Sequence, residues 1–206
     1  MAKLFRRFRS RRMLLFQRLF EVTERTTVLD VGGSPLIWQF APVQPTLTFL
    51  NFPSAIDRGS AGVDLVGGDG RMLPFRDGAF DIVFSNSTIE HVGTLADQQK
   101  FADEVRRVGK RYWVQTPNRY FPFELHMMLP LIHYFPSNWQ RTVVTRFTGW
   151  ELLVAHTEAE RTSYIEHCLT ELRLLSAADL RRLFPEARIA KERILGWPKS
   201  LIAYKP

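Results

Sequence analysis

Residues 27–35 have the sequence TVLDVGGSP, and this stretch decides the fold. Apolar and β-branched residues lead into Asp30 and then into the glycine pair Gly32 and Gly33. This order is typical of a buried parallel strand that ends in a tight turn, the place where open α/β sheets bind nucleotides. Glycine suits such a turn because its backbone adopts dihedral angles that other residues resist and can approach a ligand closely. Two glycines after a strand also form ordinary β-turns, so the interpretation depends on the rest of the chain.

The length and composition predict one globular domain. The chain has 206 residues, of which 45% are hydrophobic and 24% are charged. A single cysteine, Cys168, excludes an internal disulfide framework and a multi-cysteine metal site, so we expect no metal. No apolar run reaches the roughly 18 residues that span a bilayer. We therefore expect a cytoplasmic protein.

The positive charge is concentrated at the N-terminus. Residues 1–20 hold seven of the 28 basic residues and no acidic residue, so residues 21–206 are formally neutral despite the net charge of +7. A neutral body argues against a broad surface that follows phosphates. Nucleic acid is therefore not the expected partner.

Residues 1–22 form a basic amphipathic N-terminal segment, distinct from the domain predicted for residues 23–206. Several apolar residues could share one helical face: Leu4, Phe8, Leu15 and Leu19. One interpretation is a frayed leader that continues into a helix covering the sheet. Another is peripheral contact of residues 1–20 with an anionic membrane or an acidic partner. An export signal is excluded because Gln17 and Arg18 break the apolar run.

Short apolar runs bounded by turn residues predict six further strands and two helices. The predicted strands are residues 46–51, 62–66, 80–85, 111–116, 188–195 and 200–204. The predicted helices are residues 95–108 and 176–184. Between them, residues 117–165 are crowded with aromatic residues and prolines and predict an inserted cap within the domain. Its aromatic residues either form core under a long loop or line a lid for an apolar or planar molecule.

Polar residues stand where successive strands end. They are Asp30, Asn51, Asp69, Ser85 and Asn86. Carboxyl ends of parallel strands line one edge of a sheet, so these side chains predict a site for a nucleoside with a charged tail. A polar residue after the second strand suits ribose hydroxyls, and Asp69 suits the adenine amino group. The sequence contains neither G-x-G-x-x-G nor G-x-x-x-x-G-K-[ST], which disfavours dinucleotides and P-loop triphosphates.

Three ordered motifs resemble the class I S-adenosylmethionine-dependent methyltransferases, and the small type 11 domains among them. The motifs are VLDVGG at 28–33, GDGRMLPF at 68–75 and FDIVFSNSTIEHV at 80–92. The resemblance covers about residues 26–120. It implies a Rossmann-like α/β fold with a mostly parallel seven-stranded sheet, helices on both faces and an antiparallel last strand.

The resemblance also implies a cofactor, S-adenosyl-L-methionine, and the residues that hold it. Asp30, Gly32 and Gly33 would approach its methionine portion, Asn51 its ribose, and Asp69 with Gly70 its adenine. Ser85 and Asn86 complete the predicted cofactor set. The family's first motif has further glycines where this chain has Ser34 and Leu36, and its ribose residue is usually acidic. We therefore expect weaker cofactor binding or another ribose partner.

The implied reaction is in-line methyl transfer to a small-molecule acceptor, expected at oxygen, which requires removal of a proton. His91 is the best-placed base, although a lone histidine near a helix start is more often structural. Its neighbour Glu90 is expected to face solvent or cap the helix. His126 and Glu124, in the insertion, are further catalytic candidates and suit substrate positioning. The alternatives are a non-catalytic methyltransferase-like scaffold with a degraded cofactor site and a nucleic-acid methyltransferase that uses the basic N-terminus.

Overall fold

The computed structural model describes residues 2–52, 64–124, 129–147 and 172–206, and also Thr157, Thr162, Ile165, Glu166 and Leu169. The strands are β1 (Thr27–Val31), β2 (Thr46–Asn51), β3 (Asp64–Gly67), β4 (Phe80–Asn86), β5 (Gly109–Pro117), β6 (Phe123–Glu124), β7 (Leu129–Pro130), β8 (Arg188–Ile194) and β9 (Trp197–Lys205). The helices are α1 (Ala2–Phe20), α2 (Pro35–Trp38), α3 (Leu95–Val108), α4 (Ser137–Phe147) and α5 (Ala177–Leu183).

Seven of the strands form one sheet in the order β3-β2-β1-β4-β5-β9-β8. Strands β1 to β5 all run parallel to one another, and β9 pairs antiparallel with both β5 and β8. The predicted fold class is confirmed. Because the chain moves outward from β1 to β3 and then returns to β4, a crevice opens above the carboxyl ends of β1 and β4.

Helices cover both faces of this sheet, and each face has its own apolar core. α3 and α5 bury side chains such as Phe101 and Leu180 against one face. α1 and α2 bury Phe16, Phe20 and Trp38 against the other. Side chains alternate between faces along a strand, so Val28 and Phe84 face α1 whereas adjacent residues face α3.

Cap residues explain where two predicted helices begin. The Thr94 hydroxyl accepts from the Asp97 amide, and the Asp97 carboxylate accepts from the Thr94 amide. Ser176 and Asp179 form the same reciprocal cap at α5. These local signals are strong enough to place both helix starts as predicted.

The face predicted for the N-terminal helix lies at the margin of its packing face, where Leu15 and Leu19 contact the core. The buried residues of α1 are Arg12, Met13, Phe16 and Phe20, while Leu15 and Leu19 are only partly buried. The residues that pack, at positions 13, 16 and 20, are spaced by three and four. Phe16 and Phe20 contact Trp113, with ring centres 5.6 and 6.2 Å from the tryptophan ring. None of the described helices is long and apolar enough to cross a membrane.

The insertion after β5 adds a two-stranded antiparallel ribbon, β6–β7, and α4. Its small core consists of apolar side chains: Ile132, Val144 and Ile165. Four aromatic residues of the insertion are exposed instead: Tyr120, Tyr134, Phe135 and Trp139. For these four the prediction of core under a loop is wrong, because aliphatic side chains form that core.

Candidate active site

The turn after β1 brings a glycine pair against an acidic side chain. Gly32 has a φ of +74°, and its amide donates to the Leu50 carbonyl at 2.8 Å. A Cβ at Gly33 would overlap the Asp30 carboxylate. The turn therefore needs glycine for conformation at the first position and for close packing at the second.

Asp30 is completely buried beneath α2. Its Oδ2 accepts a hydrogen bond from the Trp38 indole nitrogen at 2.8 Å. Its Oδ1 has no hydrogen-bond partner in the described part of the chain. Burial raises the pKa of Asp30 to about 7, and the Trp38 hydrogen bond opposes that rise. A buried carboxylate oxygen without a donor is a strong acceptor position for a cationic or N–H group.

Asn51 closes the same turn from the end of β2. Its side-chain amide donates to the Gly33 carbonyl at 2.9 Å. The side-chain carbonyl accepts no hydrogen bond from the described residues, so it presents an acceptor at the edge of the sheet. Sequence reasoning placed Asn51 here but not its contact with Gly33.

Asp69 lies in the loop after β3 and is paired with Arg71. The Arg71 side chain donates to both carboxylate oxygens, with distances of 2.7 to 3.0 Å, and also lies 3.6 Å from Asp97. The Arg71 hydrogen bonds hold the pKa of Asp69 below its usual value. Gly70 packs against Phe101 and Val31, so a side chain there would strike the core. This loop presents a half-exposed carboxylate beside the β1 turn.

The turn after β4 also contacts Gly32, through Thr88. The Thr88 hydroxyl donates to the Val31 carbonyl at 3.1 Å, and the Thr88 side chain fills the space where a Cβ of Gly32 would lie. The His91 amide donates to the Thr88 carbonyl at 2.8 Å, which places His91 one turn away in the 3-10 helix Ile89–His91. His91 therefore lies within one helical turn of the residue that contacts Gly32.

Glu90 contradicts its predicted position. It is fully buried and accepts from the Thr116 hydroxyl at 2.9 Å, so it neither faces solvent nor caps a helix. The 3-10 turn directs it toward the end of β5. The contact ties the loop after β4 to β5.

A family comparison agrees with this geometry. Residues 45–112 match a family model described as a methyltransferase domain. The matched segment runs from β2 to β5 and includes the Asp69 loop and His91. This segment is similar to a methyltransferase domain, and the strand order of the sheet agrees with a class I methyltransferase fold. No curated protein matches the sequence.

Solved structures share the fold of this methyltransferase domain at low identity. A Rhodobacter sphaeroides protein named as a proposed zinc-dependent alcohol dehydrogenase is 13% identical, with 94% of this chain and 87% of that chain covered and a TM-score of 0.61. The PH0226 protein of Pyrococcus horikoshii is 17% identical, with 96% of this chain and 89% of that chain covered and a TM-score of 0.54. Magnesium protoporphyrin IX methyltransferase of Synechocystis, with bound SAH, is 12% identical, with 95% of this chain and 80% of that chain covered and a TM-score of 0.53. Such identities establish similarity of fold alone.

One of these proteins is named as a dehydrogenase and another as a methyltransferase. The residues of the candidate site must therefore distinguish between the two activities. Among the described residues, no three His, Cys, Asp or Glu side chains lie together as a candidate metal site. The glycine turn, Asn51 and Asp69 follow β1, β2 and β3 in the methyltransferase order. The family model and the fold together indicate an S-adenosylmethionine-dependent methyltransferase.

Two predicted cofactor residues of the methyltransferase domain are engaged elsewhere. The buried Ser85 hydroxyl donates to the Val31 carbonyl at 3.0 Å, which joins β4 to β1. The Asn86 side-chain carbonyl accepts from Arg12 of α1. The other six predicted residues lie at or just after the carboxyl ends of β1, β2 and β3: Asp30, Gly32, Gly33, Asn51, Asp69 and Gly70.

Arg12 is the residue that sequence reasoning missed. It is buried, donates to Gln115 at 2.9 Å, and pairs with Glu192 of β8, where its Nε lies 2.8 Å from the carboxylate. A signal was present, since residues 12, 16 and 20 are spaced by four and share a helical face. A single arginine in a run of arginines nevertheless predicts exposure.

No described contact places the two catalytic candidates of the insertion, Glu124 and His126, in the crevice. Glu124 lies in β6 and pairs with Leu129 of β7 through the backbone. His126 lies outside the described residues. Their participation remains a prediction.

Proposed function

We propose that this methyltransferase domain binds S-adenosylmethionine across the carboxyl ends of β1, β2 and β3, and methylates an oxygen atom of a small-molecule acceptor. The observation that carries the proposal is the Asp30–Gly33 contact beside a carboxylate oxygen that has no partner among the described residues. A glycine cradle around a buried acceptor suits a ligand with an ammonium group. The residues present therefore fit the cofactor.

Each part of the crevice suits one part of the cofactor. Asp30 with the Gly32–Gly33 turn would receive the methionine portion. The Asn51 carbonyl would accept from one ribose hydroxyl, and Asp69 would accept from the adenine amino group. When bound, S-adenosylmethionine supplies an electrophilic methyl group on a sulfonium. Because Asn51 offers one acceptor where a carboxylate offers two, we expect modest affinity.

His91 is the proposed base for the acceptor hydroxyl. Its helical turn begins at Thr88, whose side chain contacts Gly32, and this supports a position of the imidazole near the methionine portion of the cofactor. A neutral imidazole can take the hydroxyl proton as the new bond to oxygen forms. The oxygen would attack in line as the bond between the methyl carbon and the sulfonium sulfur breaks, which requires positioning more than covalent help from the protein.

Exposed aromatic residues support an acceptor with a planar or apolar part. Phe135 and Trp139 lie parallel, with ring centres 6.4 Å apart and an interplanar angle of 3°. Tyr120 follows the end of β5 and is also exposed. Such surfaces bind flat molecules by stacking and exclude water from them. We propose that the insertion lines the acceptor site.

The test is methyl transfer from labelled S-adenosylmethionine to a panel of phenols, hydroxy acids and amines. We expect transfer to one hydroxyl class, a fall of about 100-fold in kcat for His91→Gln, and unchanged cofactor affinity. Arg181→Gln, on α5, is the matched control and should have wild-type activity. Transfer to amines only, or full activity of His91→Gln, would refute the oxygen and base assignments.

A second candidate is a methyltransferase-like scaffold without catalysis. It is favoured by the internal pairing of Asp69 with Arg71 and by the Asn51 contact with Gly33, which satisfy polar groups without a ligand. Binding of S-adenosylmethionine would distinguish the two. A protein that binds none and yet keeps its biological role supports the scaffold.

A further inference from the structure

The N-terminal part of α1 projects beyond the sheet. Arg111, near the start of β5, donates to the Phe20 carbonyl at 2.9 Å, whereas Arg12 reaches Gln115 near the end of β5 at 2.9 Å. The helix therefore runs antiparallel to β5. Residues before Arg12 lie past the carboxyl edge of the sheet, the same edge that carries the candidate active site.

The projecting part presents arginines where the rest of the helix presents core residues. Arg6 and Arg9 continue the three-and-four spacing of Met13 and Phe16, but both are exposed. Arg7 and Arg11 are exposed as well, and α1 contains no acidic residue. Since residues 21–206 are formally neutral, these side chains hold most of the net charge of +7.

The turn between β8 and β9 projects from the same edge. Leu195 is 95% exposed and Trp197 is 58% exposed, on either side of Gly196. The turn is held in place, because the Asn118 amide donates to the Pro198 carbonyl at 2.8 Å and Arg193 donates to the Gly196 carbonyl at 2.8 Å. Two large apolar side chains are thus fixed in solvent without a described apolar neighbour to bury them.

The arginines and the apolar turn are neighbours. The Lys199 ammonium lies 4.7 Å from the centre of the Phe8 ring, and Arg12 pairs with Glu192. Burial lowers the pKa of Lys199; the charge of Glu192 opposes this shift, and the charges of Arg12 and Arg9 add to it. Phe8 of α1 therefore lies against β9 two residues from Trp197, so the exposed arginines next to Phe8 and the apolar turn belong to the same edge of the protein.

We propose that the exposed arginines of α1 together with Leu195 and Trp197 form a docking surface for an anionic lipid bilayer. Arginine is attracted to anionic headgroups, while Trp and Leu insert at the boundary between headgroups and acyl chains. A polyanion such as nucleic acid, or an acidic protein, needs the arginines but not a leucine that is almost fully exposed. The bilayer is the partner that uses both features, and it would face the active-site edge.

The experiment is flotation of the full-length protein with vesicles of phosphatidylcholine alone or with about one-third phosphatidylglycerol. We expect binding to the anionic vesicles and a fall of at least tenfold at high salt. Each arginine contributes a factor of about five near such a surface, so Arg6→Gln with Arg9→Gln should lower the partition coefficient about 25-fold. Arg181→Gln with Arg182→Gln is the charge-matched control, on α5 at the opposite face of the sheet.

The apolar turn separates a bilayer from other anionic partners. Leu195→Ser with Trp197→Ser should lower vesicle binding at least tenfold but leave binding to heparin, a soluble polyanion, unchanged. Both side chains are exposed, so thermal unfolding should match the wild type. If the double serine variant binds vesicles normally, or if anionic vesicles do not bind the wild type, the bilayer proposal is wrong. Heparin binding that depends on the arginines alone would then indicate a polyanionic partner.

Discussion

Trp38 donates its indole hydrogen to Asp30 Oδ2 at 2.8 Å, and both side chains are buried on the α1 face of the sheet. The tryptophan belongs to α2, the helix that starts directly after the glycine turn. The contact thus fixes the acidic residue of the candidate site through the helix that follows it. Burial and this hydrogen bond, both consequences of the fold, also set the pKa of Asp30.

The stability of the protein should fall as pH rises from about 4 to 7 because of Asp30. In the folded protein its pKa is about 7, whereas its ordinary value is 3.8, so the folded state holds an extra proton in this range. The favourable contribution is complete below pH 4 and is lost by pH 8, at most about 4 kcal/mol. Urea unfolding at pH 5 and pH 8 measures it. At pH 8, Asp30→Asn should be more stable than the wild type. If the stability difference between the variant and the wild type is the same at pH 5 and pH 8, burial of Asp30 does not cause the pH dependence.

Cofactor affinity should have the opposite pH dependence. An ammonium group is attracted to the ionised form of Asp30, so the affinity for S-adenosylmethionine should rise about tenfold from pH 6 to pH 7.5. Titration calorimetry across this range checks it. Asp30→Asn should show weak binding that does not change with pH, and a steep profile in that variant would assign the dependence to another group.

Gly33→Ala should abolish cofactor binding, because the new methyl group would overlap the Asp30 carboxylate. We also expect a loss of about 1–3 kcal/mol in stability as the turn shifts. Gly78→Ala is a suitable control: φ is +60° there, but the nearest atom is 3.9 Å from the added Cβ. That variant should lose about 1 kcal/mol and bind normally. Tight binding by Gly33→Ala would exclude this turn from the site.

The Arg12–Glu192 pair should be strongly coupled. Arg12→Met leaves a nearly buried carboxylate without its partner and should cost about 3–5 kcal/mol, measured by denaturant unfolding. The double variant with Glu192→Met should be more stable than the sum of the single changes predicts. The exposed pair of Lys205 and Glu186 is the comparison and should show much weaker coupling, because solvent screens it. Additive effects at Arg12 and Glu192 would show that α1 is held by its apolar residues alone.

Local signals made most of the fold predictable from the sequence. The seven strands of the main sheet follow from short runs between turn residues, and the caps at Thr94 and Ser176 place two helices. The start of β9 was not predictable, because Pro198 suggested a break and Trp197 pairs with Ile194 across a tight turn instead.

The site was predictable in outline and not in its contacts. Strand ends and glycines locate Asp30, Asn51 and Asp69, but their partners come from tertiary packing. Trp38 reaches Asp30 only because α2 folds back over β1, and Glu90 is buried only because its turn packs against Thr116. Arg12 joins α1 to strands β4, β5 and β8, far away in sequence. Residue type alone carries no information on such pairings.

Calorimetric titration of cofactor-free protein with S-adenosylmethionine tests the central claim most directly. The account predicts saturable micromolar binding that weakens at least tenfold in Asp69→Ala, since that change removes the adenine acceptor. Because Arg71 keeps the pKa of Asp69 low, the Asp69 contribution should not change between pH 6 and pH 8. Asp103→Ala, an exposed acid on α3, should bind as the wild type does. Absence of heat at two temperatures, or undiminished binding by Asp69→Ala, would contradict the cofactor site proposed for this crevice.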